Sequence, residues 1–314
     1  MEGKFNMRKI KLIGYGKAIP ENPIVFGDQT RYRLKANESL LDLIDIAVND
    51  ALKSSTLKIE DIDCIVGAMA TPLQGIPCNA ALIHERFAKH LDIPALDINT
   101  TCTSFITALD TISYLIDGNR YKNVLIVSGD TASAALNPNE KESYELFSDA
   151  ATAFVVTKGE DEGIIYSAQR TWSEGAHDTE IAAGGGLIPA FKMNELNKEK
   201  YYFHMNGLKV LKLSAKRIPS FIDECLKESN ISKEDIDIVI PHQASKALNM
   251  IMKKLGFEKN VYVDNVSEYG NMISASIPYT LCRSIEEGKI NRGDTILLIG
   301  TAAGLTCNFT LLKF

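Results

Sequence analysis

Two short stretches of the sequence, IEDIDCIV at residues 59–66 and KEDIDIVI at residues 233–240, have nearly the same pattern. In each, a short acidic turn leads into an apolar run that is typical of a buried strand. Each follows an amphipathic helical pattern, LLDLIDIAVNDALKSS at residues 40–55 and RIPSFIDECLKESN at residues 217–230. The same helix–turn–strand unit is therefore predicted twice in the chain, with an offset of 174 residues.

The repeat continues beyond these two units. YKNVLIVSGD at residues 121–130 resembles RGDTILLIGTAAG at residues 292–304, and both are apolar runs that lead to a glycine. Such runs are typical of central strands that helices cover on both faces. The helix predicted after Cys102 corresponds to the helix predicted after Asn271, so the position of Cys102 falls near Ser274. The shared order and spacing indicate two halves of one architecture.

We therefore predict an α/β fold with two similar halves, residues 7–162 and residues 163–314. The boundary lies in KGEDEG at residues 158–163, where the apolar pattern breaks. Strands that alternate with helices favour sheets covered by helices. The segment at residues 175–200 is polar and glycine-containing, and we expect it to run over the surface and cap a site.

The composition limits the classes of function. A chain of 314 residues that is 45% hydrophobic can bury a sizeable core. The net charge of −6 argues against a general nucleic-acid-binding protein. No apolar run approaches the roughly 20 residues of a membrane span, and the N-terminus lacks the apolar core of a signal peptide. We expect a soluble protein of the cytoplasm.

The cysteines and histidines do not suggest a metal site. The six cysteines are scattered and form no CxxC pair, which favours a reduced cytoplasmic protein over a disulfide framework or a zinc site. No histidine lies in a cluster of acids with the spacing of metal ligands. No bound metal is therefore expected.

One cysteine lies at a junction that suits chemistry. In PALDINTTCTSFITALD, residues 94–110, Cys102 lies between the end of a predicted strand and the start of a predicted helix. Unpaired N–H groups and the helix dipole stabilise negative charge there, which predicts a lowered thiol pKa and a nucleophile. The alternative is an inert buried cysteine, since free cysteine is among the most buried residue types.

Two further side chains are predicted at equivalent strand ends. His242 follows the strand IDIVI and Pro241, at the carboxyl end where sites of α/β sheets lie; the alternative is a solvated loop residue. Asn271 precedes a helix at the junction that corresponds to Cys102; the alternative is an ordinary helix cap. The turn GTAAGL at residues 300–305 would present backbone N–H groups to a developing oxyanion.

Four motifs together resemble a known family. TTCTSF, IVIPHQAS, YGNMISASIP and GTAAGLT are similar to the condensing enzymes of the thiolase superfamily, and most similar to β-ketoacyl-acyl carrier protein synthase III, over about residues 7–314. The resemblance implies a homodimer with the layered αβαβα thiolase fold. It implies that Cys102 takes an acyl group from acyl-CoA or an acyl carrier protein, and that malonyl carrier protein then loses carbon dioxide and attacks the acyl-cysteine to give a 3-oxoacyl product.

The resemblance also implies roles for single residues. His242 Nε2–H and the Asn271 amide would donate to the enolate oxygen that decarboxylation creates. The backbone N–H groups of Cys102 and Ala303 would hold the oxyanion on the acyl-cysteine, with alanine where the family usually has glycine. No cofactor is expected, because the substrates are carried on the phosphopantetheine of CoA or of a carrier protein.

Other residues at family positions concern binding rather than chemistry. Three lysines match basic residues that meet the acidic carrier protein, with a solvated helix face as the alternative: Lys212, Lys253 and Lys254. Ile76 falls in the part of the family that reaches into the partner subunit and caps its acyl tunnel. An isoleucine is smaller than the aromatic residue often found there, which favours a longer or branched acyl chain.

The chain departs from the family near residue 30. Members that take acyl-CoA usually carry a tryptophan and an arginine there, which sandwich the adenine. This chain reads ENPIVFGDQTRYRLKANES at residues 21–39, and its one tryptophan is Trp172. Arg31 and Arg33 remain as contacts for phosphate. The departure favours a carrier-bound or unusual acyl donor and a specialised pathway.

Other functions on this fold stay open. A non-decarboxylative, head-to-head condensing enzyme or a 3-hydroxy-3-methylglutaryl-type synthase would want a nearby glutamate base, and residues 68–79 contain no acid. An acyltransferase would pass the acyl group of Cys102 to an oxygen or nitrogen nucleophile. If the chain were a non-enzymatic acyl-binding subunit, we would expect one of the three catalytic residues to be missing. Here the cysteine, the histidine and the asparagine are all present. Acyl chain length and donor are left open.

Overall fold

The computed structural model describes residues 6–314. Its strands are β1 (Arg8–Ala18), β2 (Pro23–Phe26), β3 (Gln29–Tyr32), β4 (Cys64–Gly67), β5 (Ala95–Asp97), β6 (Val124–Asp130), β7 (Ala150–Thr171), β8 (Thr179–Glu180), β9 (His204–Met205), β10 (Ile238–Pro241), β11 (Thr295–Ala302) and β12 (Thr306–Lys313). Its α-helices are α1 (Leu40–Ser55), α2 (Asn79–Ala88), α3 (Ser104–Asp117), α4 (Lys141–Tyr144), α5 (Gly207–Ser229), α6 (Leu248–Lys254), α7 (Val266–Tyr269) and α8 (Ser276–Glu286). Single 3₁₀ turns connect several of them.

The repeat in the sequence is present in the sheet. The strand order is β10-β11-β12-β7-β6-β4-β5, and β1 pairs with β7. On one side of β7, the parallel pair β4–β6 is followed by the antiparallel pair β6–β7. On the other side, the parallel pair β10–β11 is followed by the antiparallel pair β11–β12. The α/β class predicted from the sequence is confirmed.

Strand β7 joins the two sides of the sheet. Residues 150–156 pair with β6, whereas residues 163–171 pair with β12. The predicted boundary at residues 158–163 lies within this strand, where the register of β1 against β7 also shifts. The limits 7–162 and 163–314 stay a prediction, because one continuous strand carries both sides.

The buried residues form layers because each strand is apolar on both faces. Helices α3 and α8 pack in one cluster with one face of the strands, for example with Ile126 and Ile240. The opposite face of β6 packs against α1 and α2, through Leu125 and Val127. The opposite face of β11 packs against α5 and α6, through Leu297 and other apolar residues. The result is the αβαβα layering that the resemblance implies.

Helix α1 shows how local sequence sets this packing. Ser39 caps its N-terminus by accepting a hydrogen bond from the backbone N–H of Leu41, and Thr56 ends it in the left-handed conformation. Its apolar residues recur at helical spacing and are buried. The helix lies directly on β1, because a Cβ added at Gly16 would be 2.1 Å from the carbonyl oxygen of Ala47. The glycine is therefore required for this close approach.

Helix α5 is longer than the sequence pattern predicts. The amphipathic pattern begins at Arg217, whereas the helix begins at Gly207, after Asn206, whose side chain accepts from the Lys209 N–H. The reason is that the first turns bury nothing: the buried residues of α5 begin at Ile218. The apolar residues of those turns, such as Leu208 and Leu211, are exposed in the single chain. Over residues 6–314, none of the helices is long and apolar enough to cross a membrane.

We expect Gly16→Ala to lower the free energy of unfolding by about 1–3 kcal/mol, because the new Cβ must push α1 away from β1. Urea denaturation followed by circular dichroism would measure the change. Gly185→Ala is the matched control, since nothing lies within 4 Å of a Cβ at that position. Equal stability of the two variants would contradict the close contact.

Candidate active site

A cavity of about 400 Å³ lies at the carboxyl ends of the central strands. Cys102, His242 and Asn271 all line it, although they are far apart in sequence. Most of the remaining wall is apolar, with Phe147 and Leu305 among its side chains. The structure thus brings together the three residues that the sequence pointed to, in a space suited to an apolar chain.

Cys102 lies in a 3₁₀ turn, Thr101–Thr103, immediately before α3. Thr101 has a left-handed backbone with φ of 51°, which is uncommon for a β-branched residue. The side-chain oxygen of Asn99 accepts from the Thr101 N–H at 2.8 Å, and Ser104 Oγ accepts from the Thr100 N–H at 3.0 Å. These bonds hold the corner that carries the thiol.

The same corner recurs 172 residues later. Ile273 has φ of 48°, the Asn271 side-chain oxygen accepts from the Ile273 N–H at 2.9 Å, and Ser276 Oγ accepts from the Met272 N–H at 2.9 Å. In this alignment Ser274 takes the position of Cys102, as the sequence predicted. We call residues 99–104 the first corner and residues 271–276 the second corner.

Asn271 is held so that its amide nitrogen is free. Its backbone N–H donates to the Leu146 carbonyl at 2.9 Å, and its carbonyl accepts from the Ser148 N–H at 2.9 Å. Its side-chain oxygen forms the local turn with Ile273, so part of the capping alternative is realised. The side chain is only 5% exposed, and within residues 6–314 its Nδ2 has no hydrogen-bond partner. Nδ2 can therefore donate to a ligand in the cavity.

His242 is fixed at the end of β10. Its N–H donates to the Ile299 carbonyl at 2.8 Å, and the neighbouring Gly300 leaves room for it, because a Cβ there would be 2.9 Å from the Cβ of His242. The imidazole is 4% exposed, and burial lowers its pKa to about 4. His242 is therefore neutral at neutral pH.

The imidazole makes no hydrogen bond through Nδ1 within residues 6–314. This atom is buried and has neither a donor nor an acceptor partner in the described chain. The tautomer protonated on Nε2 is the one that can present an N–H to a ligand in the cavity that His242 lines. His242 can thus act as a neutral N–H donor.

The thiol pKa differs from the prediction. Burial of the Cys102 thiol, with the Asp130 carboxylate as the second cause, raises its pKa to about 12. The N–H groups of Ala303 and Cys102 and the hydroxyl of Thr101 act in the opposite direction. The predicted lowering by the helix N-terminus is wrong, because the desolvation of the thiolate outweighs these donors. Cys102 rests as a thiol.

Ala303 directly follows β11 and lines the cavity together with Cys102, and its backbone N–H acts to lower the pKa of the Cys102 thiol. A donor that reaches the nucleophile also reaches the carbonyl oxygen of an acyl group attached to it. The predicted oxyanion donors, the N–H groups of Cys102 and Ala303, therefore lie beside the thiol.

Several residues of the site are absent from the sequence-based prediction. Asp178 and Glu180 line the cavity from the segment at residues 175–200, which caps the site as expected. Asp130, at the end of β6, is buried next to the cavity wall at Thr71. The signal for Asp130 was available, since YKNVLIVSGD places an acid at the end of a buried strand. Asp130 was not among the predicted site residues, because catalytic residues were sought among the cysteines and histidines.

The phosphate contact predicted for Arg31 is wrong. Its side chain is 0% exposed and donates to the carbonyl oxygens of Glu145, Thr30 and Ser267, and to the side chain of Gln29. Burial and its neighbour Arg33 lower its pKa to about 10. The guanidinium therefore stabilises the protein interior through these hydrogen bonds and is not accessible to a phosphate.

Arg33 is half-buried and is also engaged by the chain. Its guanidinium carbon lies 4.4 Å from the ring centroid of Tyr144 and 5.3 Å from that of Phe26. It donates to the Tyr144 carbonyl. The guanidinium thus has two aromatic neighbours from the chain itself.

The remaining predicted residues lie on the surface. Lys212 is exposed on α5, and Lys253 and Lys254 are exposed on α6. The two helices flank one groove, in whose wall Lys254 lies. Ile76 is 88% exposed in the single chain, which is unusual for a large apolar side chain. Carrier binding and subunit contact stay predictions for these residues.

The chain matches two models of one family. The model described as 3-oxoacyl-[acyl-carrier-protein (ACP)] synthase III matches residues 96–173, and the model of its C-terminal part matches residues 226–314. The first match contains Cys102, and the second contains His242 and Asn271. Together the two models match more than half of the chain.

Full-length relatives agree with these matches. A β-ketoacyl-[acyl-carrier-protein] synthase III from Clostridium perfringens is 34% identical, and the alignment covers 98% of this chain and 100% of the relative. The crystal structure of 3-oxoacyl-[acyl-carrier-protein] synthase III from Aquifex aeolicus has a TM-score of 0.86 at 28% identity, covering 97% of this chain and 100% of that one. The synthase III from Thermus thermophilus has a TM-score of 0.86 at 26% identity, covering 97% and 99%.

We expect the alkylation of Cys102 by iodoacetamide to accelerate about tenfold per pH unit between roughly pH 6 and pH 9, because a thiol with a pKa near 12 gains thiolate throughout that range. Intact-protein mass spectrometry, with peptide mapping to Cys102, would measure the rate constants. The exposed Cys78 is an internal reference in the same molecule. A rate that is already constant at neutral pH would show a low-pKa thiol instead.

Proposed function

The chain belongs to the 3-oxoacyl-[acyl-carrier-protein] synthase III family, and we propose that Cys102, His242 and Asn271 carry out its condensation reaction. The observation that carries this assignment is their convergence in one apolar cavity, with a neutral imidazole and a free amide nitrogen as donors. The enzyme is a condensing acyltransferase of fatty-acid biosynthesis, and acyl carrier protein is its partner.

The first step attaches the acyl group to Cys102. The sulphur attacks the carbonyl carbon of an acyl thioester, the C–S bond to phosphopantetheine breaks, and the thiol proton leaves with the phosphopantetheine thiol. The backbone N–H groups of Cys102 and Ala303 stabilise the tetrahedral oxyanion. A neutral resting thiol fits this step, because substrate binding excludes water before any charge develops.

The second step makes the new carbon–carbon bond. Malonyl carrier protein loses carbon dioxide, and the electron pair of the broken C–C bond forms an enolate on the thioester oxygen. His242 Nε2–H and Asn271 Nδ2 donate to that oxygen. The enolate carbon attacks the acyl-cysteine carbonyl, the bond to the Cys102 sulphur breaks, and a 3-oxoacyl thioester leaves. Both donors are neutral, so they stabilise the enolate without binding the malonate more tightly through charge.

The acyl donor is carried on a carrier protein rather than on CoA. Two observations support this: the region near residue 30 has no tryptophan, and Arg31 and Arg33 are both engaged by the chain itself. Neither guanidinium is placed to meet a phosphate. No cofactor beyond the phosphopantetheine of the substrates is part of the proposal.

The protein acts as a homodimer in which Ile76 enters the partner's acyl tunnel. The support is the 88% exposure of this side chain, since burial of a large apolar residue against a partner is favourable. Together with the six free cysteines, the proposal places the enzyme in the reducing cytoplasm.

We expect Cys102→Ala to form no acyl-enzyme at all, because the nucleophile is gone. We expect His242→Ala to keep partial acylation and to lose decarboxylation about 100- to 1,000-fold, the usual effect of removing one oxyanion donor. Intact-protein mass spectrometry with a panel of acyl carrier proteins and acyl-CoAs, followed by malonyl carrier protein, would measure both steps. Carbon dioxide is quantified in parallel.

The same experiment separates the alternatives. An acyl mass on Cys102 that malonyl carrier protein discharges as a 3-oxoacyl product supports the proposal and identifies the acyl donor. Acyl-enzyme that releases no carbon dioxide would instead favour head-to-head condensation or acyl transfer to an oxygen or nitrogen nucleophile. Wild-type carbon dioxide release by His242→Ala would refute the role of the imidazole.

Carrier binding has its own prediction. Reversing the charge of the three lysines Lys212, Lys253 and Lys254 to glutamate should raise KM for malonyl carrier protein about tenfold and leave kcat unchanged, because uniform binding is lost. The effect should shrink at high salt. The control is the triple reversal of the exposed lysines Lys53, Lys58 and Lys89, which lie on the first half of the chain. Equal KM values in the two triple variants would exclude docking at α5 and α6.

A further inference from the structure

Asp130 is a buried carboxylate that the mechanism above does not use. It is the last residue of β6 and is 0% exposed. An ionisable group in such a place is costly unless its oxygens are fully hydrogen-bonded. The hydrogen bonds of Asp130 therefore show what it holds.

One carboxylate oxygen holds the second corner. Asp130 Oδ2 accepts from the Ser274 N–H at 3.0 Å and from Ser274 Oγ at 2.5 Å. These bonds join β6 to a residue 144 positions later in the chain. Ser274 directly follows Ile273, whose left-handed backbone costs about 1–3 kcal/mol and needs support from its surroundings.

The other oxygen holds the cavity wall. Asp130 Oδ1 accepts from the N–H groups of Ala70 and Thr71, at 3.2 and 2.8 Å, and from Thr71 Oγ1 at 2.7 Å. Thr71 and Ala70 line the cavity of Cys102. Three of the five donors to Asp130 are backbone N–H groups, which can only donate and which favour the ionised carboxylate. Burial, the larger effect, raises the pKa of Asp130 above its usual value.

The second corner links Asp130 to Asn271. The Asn271 side-chain oxygen accepts from the Ile273 N–H at 2.9 Å, and this bond fixes the plane of the amide. Because the oxygen and Nδ2 share that plane, the direction in which Nδ2 donates depends on where the Ile273 N–H lies. That N–H is fixed by the Ile273–Ser274 backbone, which Asp130 holds from the other side.

We propose that Asp130 is the positioning residue for Asn271, and that its carboxylate fixes the second corner so that Nδ2 meets the enolate oxygen. This inference rests on the proposed function. Asp130 does not touch the substrate and reaches Asn271 through Ser274 and Ile273. It also holds the cavity wall at Thr71 and raises the pKa of the Cys102 thiol, so its removal does not leave acylation untouched. The loss that the proposal predicts is specific to decarboxylation, the step in which Asn271 acts.

Three variants test this assignment against the Asn271→Ala benchmark. Asp130→Asn keeps the size of the side chain but turns one acceptor oxygen into a donor. Ser274→Ala removes only the hydroxyl and leaves the backbone N–H in place. Asp63→Asn is the matched control, since Asp63 also accepts from two backbone N–H groups, those of Lys122 and Asn123, far from the cavity. Thermal unfolding confirms that each variant is folded.

Acylation is measured by the mass shift of Cys102 with an acyl carrier protein, and decarboxylation by carbon dioxide released from malonyl carrier protein. For Asp130→Asn we expect kcat for decarboxylation to fall about 100-fold, the effect of a misplaced group, with KM unchanged. We expect acylation to fall by no more than about threefold, because loss of the Asp130 charge also removes the second cause of the raised pKa of the Cys102 thiol. Ser274→Ala should show the same selectivity with a smaller loss, and Asp63→Asn should change neither step.

The outcomes distinguish the two levels of the proposal. If Asn271→Ala decarboxylates normally, the proposed role of Asn271 fails, and the inference fails with it. If Asn271→Ala is impaired while Asp130→Asn and Ser274→Ala are not, only the role of Asp130 is overturned. Equal losses of acylation and decarboxylation would show a general structural role instead. If Asp130→Asn does not fold, the step selectivity of Ser274→Ala decides.

Discussion

The active site depends on two left-handed backbone corners, one between β5 and α3 and the other between α7 and α8. A left-handed conformation at a β-branched residue is unfavourable by about 1–3 kcal/mol, and the fold accepts it at both Thr101 and Ile273. At each corner an asparagine side chain two residues earlier accepts from the strained residue's N–H. Each corner leads directly into a helix, the first into α3 and the second into α8. This is what brings Cys102 and Asn271 to one cavity.

The electrostatics of the cavity favour neutral groups at rest. Burial keeps the imidazole of His242 neutral and keeps the thiol of Cys102 protonated, so the site holds no thiolate–imidazolium pair before substrate arrives. In the proposed reaction, charge develops first on the acyl carbonyl oxygen and then on the enolate oxygen. Asn271, the proposed enolate donor, is already held in place by its backbone hydrogen bonds to Leu146 and Ser148. Preorganised neutral donors stabilise the transition states more than the ground states.

The sequence predicted the parts of this arrangement that follow from pattern. The repeated helix–turn–strand unit predicted the two-sided sheet. The predicted strand ends are present before Cys102 and His242, whereas Asn271 follows helix α7 and not a strand, so that part of the prediction is wrong. The sequence contains no pattern that shows how deeply a side chain is buried. The thiol pKa of Cys102 was therefore predicted to be lowered, whereas burial raises it. The burial of Arg31 was missed for the same reason, because the loops that cover it come from distant parts of the chain. Asp130 was missed because its partners lie at long range on both sides.

The two corners have equivalent backbone conformations, but they differ in which side chain is available to a ligand in the cavity. In the first corner the amide nitrogen of Asn99 donates to a backbone carbonyl at 2.9 Å, whereas that of Asn271 in the second corner is free. In the second corner the hydroxyl of Ser274 is bound by Asp130, whereas the thiol at the equivalent position, Cys102, faces the cavity. At the first corner the thiol therefore faces the cavity and the asparagine amide is hydrogen-bonded, whereas at the second corner the asparagine amide is free and the hydroxyl is hydrogen-bonded. Because the hydrogen bonds of the two corners differ at two positions, a duplicated frame yields a single site, to which one half supplies the proposed nucleophile and the other the proposed enolate donor.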